Sequence, residues 1–111
     1  MEKSMLLDVI GDTVENRIID FLIEGRGFDY TKTNIAEGSG ISRPTLYKIF
    51  PQLLNEKIII PTRIIGNVQL YMLNAKNERI QALLKLEEFL LKRSFEGTEV
   101  EEKLKIRSKP I

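Results

Sequence analysis

The stretch TKTNIAEGSGISRPTLYKIFPQLL, residues 31–54, constrains the fold more than any other, because it spells two short helices on either side of a tight turn. Thr31 or Thr33 can cap a first helix that runs through Ser39, and Gly40 supplies the permissive backbone that a sharp turn requires. Ser42 then opens a second helix as its N-cap, with Arg43 and Pro44 in the first turn, where a missing proline N–H costs little. In that helix Leu46, Ile49, Phe50 and Leu53 recur at the i, i+3, i+4, i+7 spacing of a buried stripe. At 100° per residue the opposite face carries Pro44, Thr45, Tyr47, Lys48, Gln52 and Asn55. That face is polar, aromatic and basic, as a groove of nucleic acid requires. Pro51 is predicted to kink or end the helix near Phe50, at a cost of roughly 3 kcal/mol if the helix stays straight.

The flanking residues say what holds this pair. Met5, Leu6, Val9 and Ile10 form a short amphipathic patch interrupted by Gly11. Asp12 or Thr13 can cap the next helix, with Asp12 and Glu15 at capping-box spacing. Val14, Ile18, Ile19, Phe21, Leu22 and Ile23 crowd one broad face of a helix that should run to about Glu24 and lie across the back of the helix-turn-helix. Gly25 and Gly27 end it, and Phe28, Asp29 and Tyr30 read as the third strand of a small sheet. Downstream, Ile58–Ile64 and Val68–Leu73 are β-rich runs around a Gly66-Asn67 turn, a hairpin signal. Pro61 cannot donate to a ladder and belongs on an edge strand. A helix-turn-helix followed directly by a hairpin is the order of a winged helix. In such a fold Arg63 and Asn67, near the tip, are placed to touch a phosphate backbone or a minor groove, although Ile64 and Ile65 beside Gly66 leave the wing poor in charge.

Asn74 or Asn77 can cap a last long helix, roughly Lys76 to Phe95. Its Ile80, Ala82, Leu83, Leu84, Leu86, Phe89, Leu90 and Leu91 cover more than one narrow stripe, which implies a partner chain over the excess. Ile80, Leu83, Leu86, Phe89 and Leu90 are the expected dimer interface. After a break at Gly97, the run of Glu and Lys around Val100, Leu104 and Ile106 reads as a charged tail.

Composition bounds the chemistry. At 111 residues one domain is expected. With no cysteine and no histidine the chain lacks a thiolate nucleophile, a disulfide framework and the commonest general base and metal ligand. Ser4, Ser39, Ser42, Ser94 and Ser108 sit in no recognisable catalytic motif, so no enzymatic role, metal or cofactor is expected. The net charge of +1 does not announce a nucleic-acid binder, but its distribution is uneven. Residues 1–30 hold three basic and seven acidic side chains, residues 31–67 five and two, and residues 68–111 nine and seven. The helix pair and hairpin form the basic third. No secretory signal or membrane-length apolar run is present, and a cytoplasmic protein is expected.

The run IAEGSGISRPTLYKIFPQLLNEKIIIPTRIIGNVQLYMLN resembles the winged helix-turn-helix transcriptional regulators of archaea and bacteria, in the broad ArsR- and MarR-like group. An IAE-type helix, a G-I-S turn, an S-R-x-T-x-Y-K recognition helix and a wing ending in Y-x-L-N recur there in this order. The likeness spans Asp12 to Asn74 and fades beyond Arg93. It implies that Ser42, Arg43, Thr45, Tyr47 and Lys48 lie at or near the major groove, with Lys32 and Thr33 meeting the backbone. Metal-sensing members of the ArsR group use Cys and His ligands, which this chain lacks. The expected architecture is mainly α with a small β-sheet: a winged helix-turn-helix over residues 1–74, a dimerisation helix over 75–97 and a charged tail over 98–111. The expected function is sequence-specific binding of double-stranded DNA as a homodimeric transcriptional regulator, with no membrane partner. The alternatives are a winged-helix module that binds another protein, and an architectural or segregation DNA-binding protein.

Overall fold

The computed structural model describes residues 4–107, with side chains as far as residue 95. Five helices and a hairpin follow in the order α1 (Met5–Ile10), α2 (Val14–Glu24), α3 (Lys32–Ser39), α4 (Arg43–Asn55), β1 (Ile59–Ile65), β2 (Val68–Leu73) and α5 (Glu78–Arg107). The mainly helical class with a small sheet, read from the sequence, is the observed one. Each helix starts on a side-chain cap. The hydroxyls of Ser4, Thr13, Thr31 and Ser42 accept from amides one turn in, and Asn77 Oδ1 accepts from the Ile80 amide at 3.1 Å. Such caps each contribute about 1 kcal/mol. The reciprocal capping box falls at Thr31 and Asn34, not at Asp12 and Glu15. Thr13 takes the cap there, and the Asp12 carboxylate pairs with Arg17 instead.

The core is the meeting of α2, α3, α4 and the base of the hairpin. Leu6, Ile18, Ile19, Leu22, Ile23, Ile35, Leu46, Leu53, Ile58, Ile59 and Ile80 are essentially sealed from solvent. Removing that much aliphatic surface from water is the main stabilising term. Two aromatic contacts fasten its edges: Phe21 against Tyr30 at 5.0 Å between ring centres, and Phe50 edge-on to Tyr71 at 4.7 Å. Gly38 lets α3 lie directly on α2, since a Cβ there would fall 2.1 Å from Phe21 Cε1.

Four expectations need correction. The α4 helix does not end at Pro51 but continues to Asn55. Proline removes a single bond to the turn before it. Buried Leu53 holds the last turn down, and the Ile58 amide closes it by donating to the Leu53 carbonyl at 3.0 Å. The third strand reduces to a single bridge, in which Tyr30 exchanges amide and carbonyl bonds with Tyr71 at 2.7 and 2.8 Å. Thr31 already caps α3, so no further residue is free to extend the ladder. Gly97 does not break α5, whose backbone stays helical to Arg107. One glycine costs about 1 kcal/mol, and the Glu, Lys and Leu residues around it favour helix; residues 108–111 of the expected tail lie outside the described residues. Finally, Ile80 is core of this chain and not an interface residue.

The hairpin is antiparallel, with Ile59 opposite Leu73 and Ile65 opposite Val68. The register slips between Pro61 and Ile64, a bulge that leaves Thr62 and Arg63 turned out of the regular ladder. Pro61 sits on the outer strand, as expected, because β2 is flanked by β1 on one side and by Tyr30 on the other. Lys57, just past α4, adopts the left-handed conformation at φ 57°. Its carbonyl is held by Asn74 Nδ2 at 2.9 Å and Asn77 Nδ2 at 3.2 Å, so the two ends of the hairpin are tied together at its base.

Candidate nucleic-acid interface

The expected site residues fall on two neighbouring elements, α4 with the start of α3 and the wing. The turn between α3 and α4 needs Gly40, whose φ of 69° is left-handed. Ile41 tucks its amide onto the Ala36 carbonyl at 3.0 Å, which fixes the angle at which α4 leaves the turn. Leu46, Phe50 and Leu53 face the core, with Ile49 packed partly against it. The opposite side is thereby held outward, and Arg43, Pro44, Tyr47, Lys48, Gln52 and Asn55 are all exposed.

Within this face the residues divide by what already occupies them. Ser42 is committed to the cap: its Oγ accepts from the Thr45 amide at 3.2 Å and lies 2.7 Å from Thr45 Oγ1. Ser42 and Thr45 therefore act mainly by shaping the helix N-terminus, whose remaining amides favour an anion. Arg43 and Lys48, among the described residues, have no carboxylate partner. Tyr47 is 52% exposed, and its ring receives the Lys32 ammonium at 5.3 Å, with the Phe50 ring on the same cation at 4.8 Å. Lys32 is thus drawn from the first turn of α3 onto the Tyr47 and Phe50 rings of α4, the helix that also carries Arg43 and Lys48. Thr33, half-buried, follows it on α3.

The wing differs. Asn67 is exposed in the turn beside Gly66, whose φ is 62°. Arg63, expected to touch a phosphate backbone or a minor groove, is exposed and carries an ion pair within the molecule. Its Nε and Nη2 donate to the two carboxylate oxygens of Asp29 at 2.8 and 3.1 Å, and Thr62 Oγ1 donates to the same carboxylate at 2.7 Å. The Arg63 bonds, with that from Thr62, hold the Asp29 carboxyl below the usual carboxylate range, and the pairing with Asp29 raises the guanidinium further. Sequence reading missed Asp29, which is separated from Arg63 by 34 positions; no local pattern announces a pair formed across a bulge. The tip beyond it is aliphatic: Ile64, Ile65 and Val68 are 65%, 54% and 48% exposed.

Of the expected interface residues on α5, Leu83, Leu86 and Leu90 are half-buried against the core, while Phe89 is exposed along with Leu91 and Phe95. Among the described residues no cluster of His, Cys, Asp and Glu suited to a metal ion occurs, and no helix is long and apolar enough to cross a membrane.

No family model matches the chain, and no curated protein does. Solved structures do. NadR in complex with 4-hydroxyphenylacetate aligns with a TM-score of 0.61 at 20% identity, covering 94% of this chain and 74% of that one. MepR, a transcription regulator of the Staphylococcus aureus multidrug efflux pump MepA, aligns at 0.60 and 14% identity, covering 95% and 80%; a MepR mutant bound to an oligodeoxyribonucleotide is similarly close. A mutant of the type III plasmid segregation protein TubR aligns at 0.58 and 19% identity, covering 80% of this chain and 98% of that one. The likeness establishes the winged-helix fold.

Proposed function

We propose that this chain binds double-stranded DNA as a transcriptional regulator, laying α4 in the major groove, and that two copies act together. The observation that carries this reading is the outward face of α4. Among the described residues Arg43 and Lys48 stand there without carboxylate partners and Tyr47 lies between them, on a helix fixed by a buried stripe and a capped N-terminus, and Lys32 reaches over from α3 to the Tyr47 and Phe50 rings. Arg and Lys can pair with phosphates or guanine edges, and only contacts to base edges carry sequence. Support also comes from the shared fold of MepR, solved with an oligodeoxyribonucleotide. Ser42 and Thr45 shape the leading end of α4, Thr33 stands near the backbone, and Asn67 reaches from the wing. In this reading residues 1–74 bind DNA, and the exposed Phe89 with the half-buried Leu83, Leu86 and Leu90 pairs two α5 helices. Half-sites would then lie about one helical turn apart.

A second reading within DNA binding is favoured by one observation: the chain matches nearly the whole length of the segregation protein TubR but only about three quarters of NadR. Binding that spreads along DNA without sequence preference would select it. The test of the main reading is a salt-titrated binding assay on genomic fragments with the parent chain and the Arg43→Ala, Lys48→Ala double variant. A regulator shows affinity that falls steeply with salt and a shallower slope in the variant. Affinity indifferent to salt, or unchanged in the variant, rejects it.

A further inference from the structure

We propose that the wing engages DNA as an uncharged aliphatic wedge in the minor groove, with Ile64, Ile65 and Val68 as the inserting residues and Asn67 as the polar contact at the tip. The inference rests on the DNA-binding reading above and concerns how the second element meets the duplex.

Three observations carry it. First, the wing has no spare charge. From Ile64 to Ala75 no residue is ionisable except Tyr71, whose ring packs on Phe50, and the arginine at the foot of the tip is held at both carboxylate oxygens by Asp29. A phosphate would have to displace a bidentate carboxylate that Thr62 also secures. Charge-driven docking by this hairpin is therefore weak. Second, the aliphatic side chains lie on both faces of the ribbon. Ile65 is paired with Val68 on one face, and Ile64 is paired with Gln69 on the other, because residues opposite each other in an antiparallel ladder point to the same side. A flat protein surface could cover only one of these faces. A slot with two walls covers both, and the minor groove is such a slot, into which Ile, Leu and Phe wedges are driven between base steps by other proteins. Third, the tip belongs to the same rigid unit as α4. Phe50 of α4 is seated on Tyr71 of β2, and the bases of both strands are core, so when α4 meets the duplex the tip is carried to a fixed place beside it. Exposed aliphatic surface at this position is a cost in water that insertion removes.

The experiment uses the full chain and a labelled duplex selected by it from a random pool. Ile64→Ser, Ile65→Ser is compared with the parent across a salt series, in competition with netropsin, which fills the minor groove, and by the fluorescence of 2-aminopurine placed through the flanking steps. Both residues are largely exposed, and thermal melting confirms that the variant folds. The expected result is about a tenfold loss of affinity with an unchanged salt slope, loss of the 2-aminopurine signal that reports unstacking, and weaker displacement by netropsin than the parent shows. Equal affinity of parent and variant, with the salt dependence of both intact, overturns the wedge while leaving the α4 reading standing. A variant whose free oligomeric mass differs from the parent's by light scattering also overturns it, since the tip is then a contact between copies. A parent that retains no duplex rejects the underlying reading, and the wedge with it.

Discussion

Helix α4 and the wing stand side by side yet differ in how their charges are used. On α4 two cations have no carboxylate partner among the described residues and a third is drawn in over aromatic rings; on the wing the one cation is paired with Asp29 and the tip is aliphatic. The net charge of +1 hides this division. In the proposed DNA complex electrostatic attraction is thus concentrated on one element, which should set the salt dependence of binding, while the other would contribute shape and apolar contact.

The largest effect expected is on the charged partner. Arg43→Ala with Lys48→Ala should weaken duplex binding by about a hundredfold near physiological salt and reduce the salt slope by about two, read by fluorescence anisotropy. A variant that loses affinity with the slope intact would erase the contrast. Next comes the platform that both elements share. Gly38→Ala drives a methyl into the Phe21 ring and should cost about 1–3 kcal/mol of stability, read by urea unfolding; no loss would mean that α3 shifts freely on α2. Then the charge of the wing can be restored. Asp29→Asn frees Arg63, so affinity should rise a few-fold and the salt slope steepen by about one, whereas an unchanged slope would mean that Arg63 cannot reach phosphate even when released.

The pH behaviour of the same pair supplies a smaller effect. Because the Asp29 pKa is lowered in the fold, its pairing favours the native state above the ordinary aspartate range. That contribution is lost as pH falls through the lowered value. A carbon-detected titration should find the Asp29 midpoint below that of a free aspartate, and back near it in Arg63→Ala. The smallest change lies between the two elements. Lys57→Gly relieves the left-handed strain at φ 57° and should add about 1 kcal/mol with DNA affinity unaltered.

Much of this was legible in the residues. The two-helix stretch, its cap at Ser42, the Gly40 turn and the buried stripe of α4 all follow from local rules, and of the two candidate caps for α3, Thr31 and Thr33, the structure uses Thr31. What local rules missed was decided at a distance. Pro51 is tolerated because Leu53 and Ile58 anchor the turn after it. Ile80 belongs to the core because α5 folds back beside α1, and Arg79 next to it reaches Glu15 of α2 at 2.8 Å. The pairing of Arg63 with Asp29 is invisible to local rules because a wing arginine is read from its own strand, while Asp29 arrives from a loop that the bulge happens to face.

The asparagine ties at Lys57 also bear on how such a chain can change over generations. With the Asn74 amide on the Ile58 carbonyl at 2.9 Å and Asn77 on Glu56 and Lys57, the ribbon leaves and re-enters the body at one clasped point. Closing a longer loop on that clasp adds only about 0.6 kcal/mol for each doubling of its length. The reach of the ribbon can therefore be lengthened or trimmed with little consequence for the body below it, making the tip a replaceable part on a fixed mount.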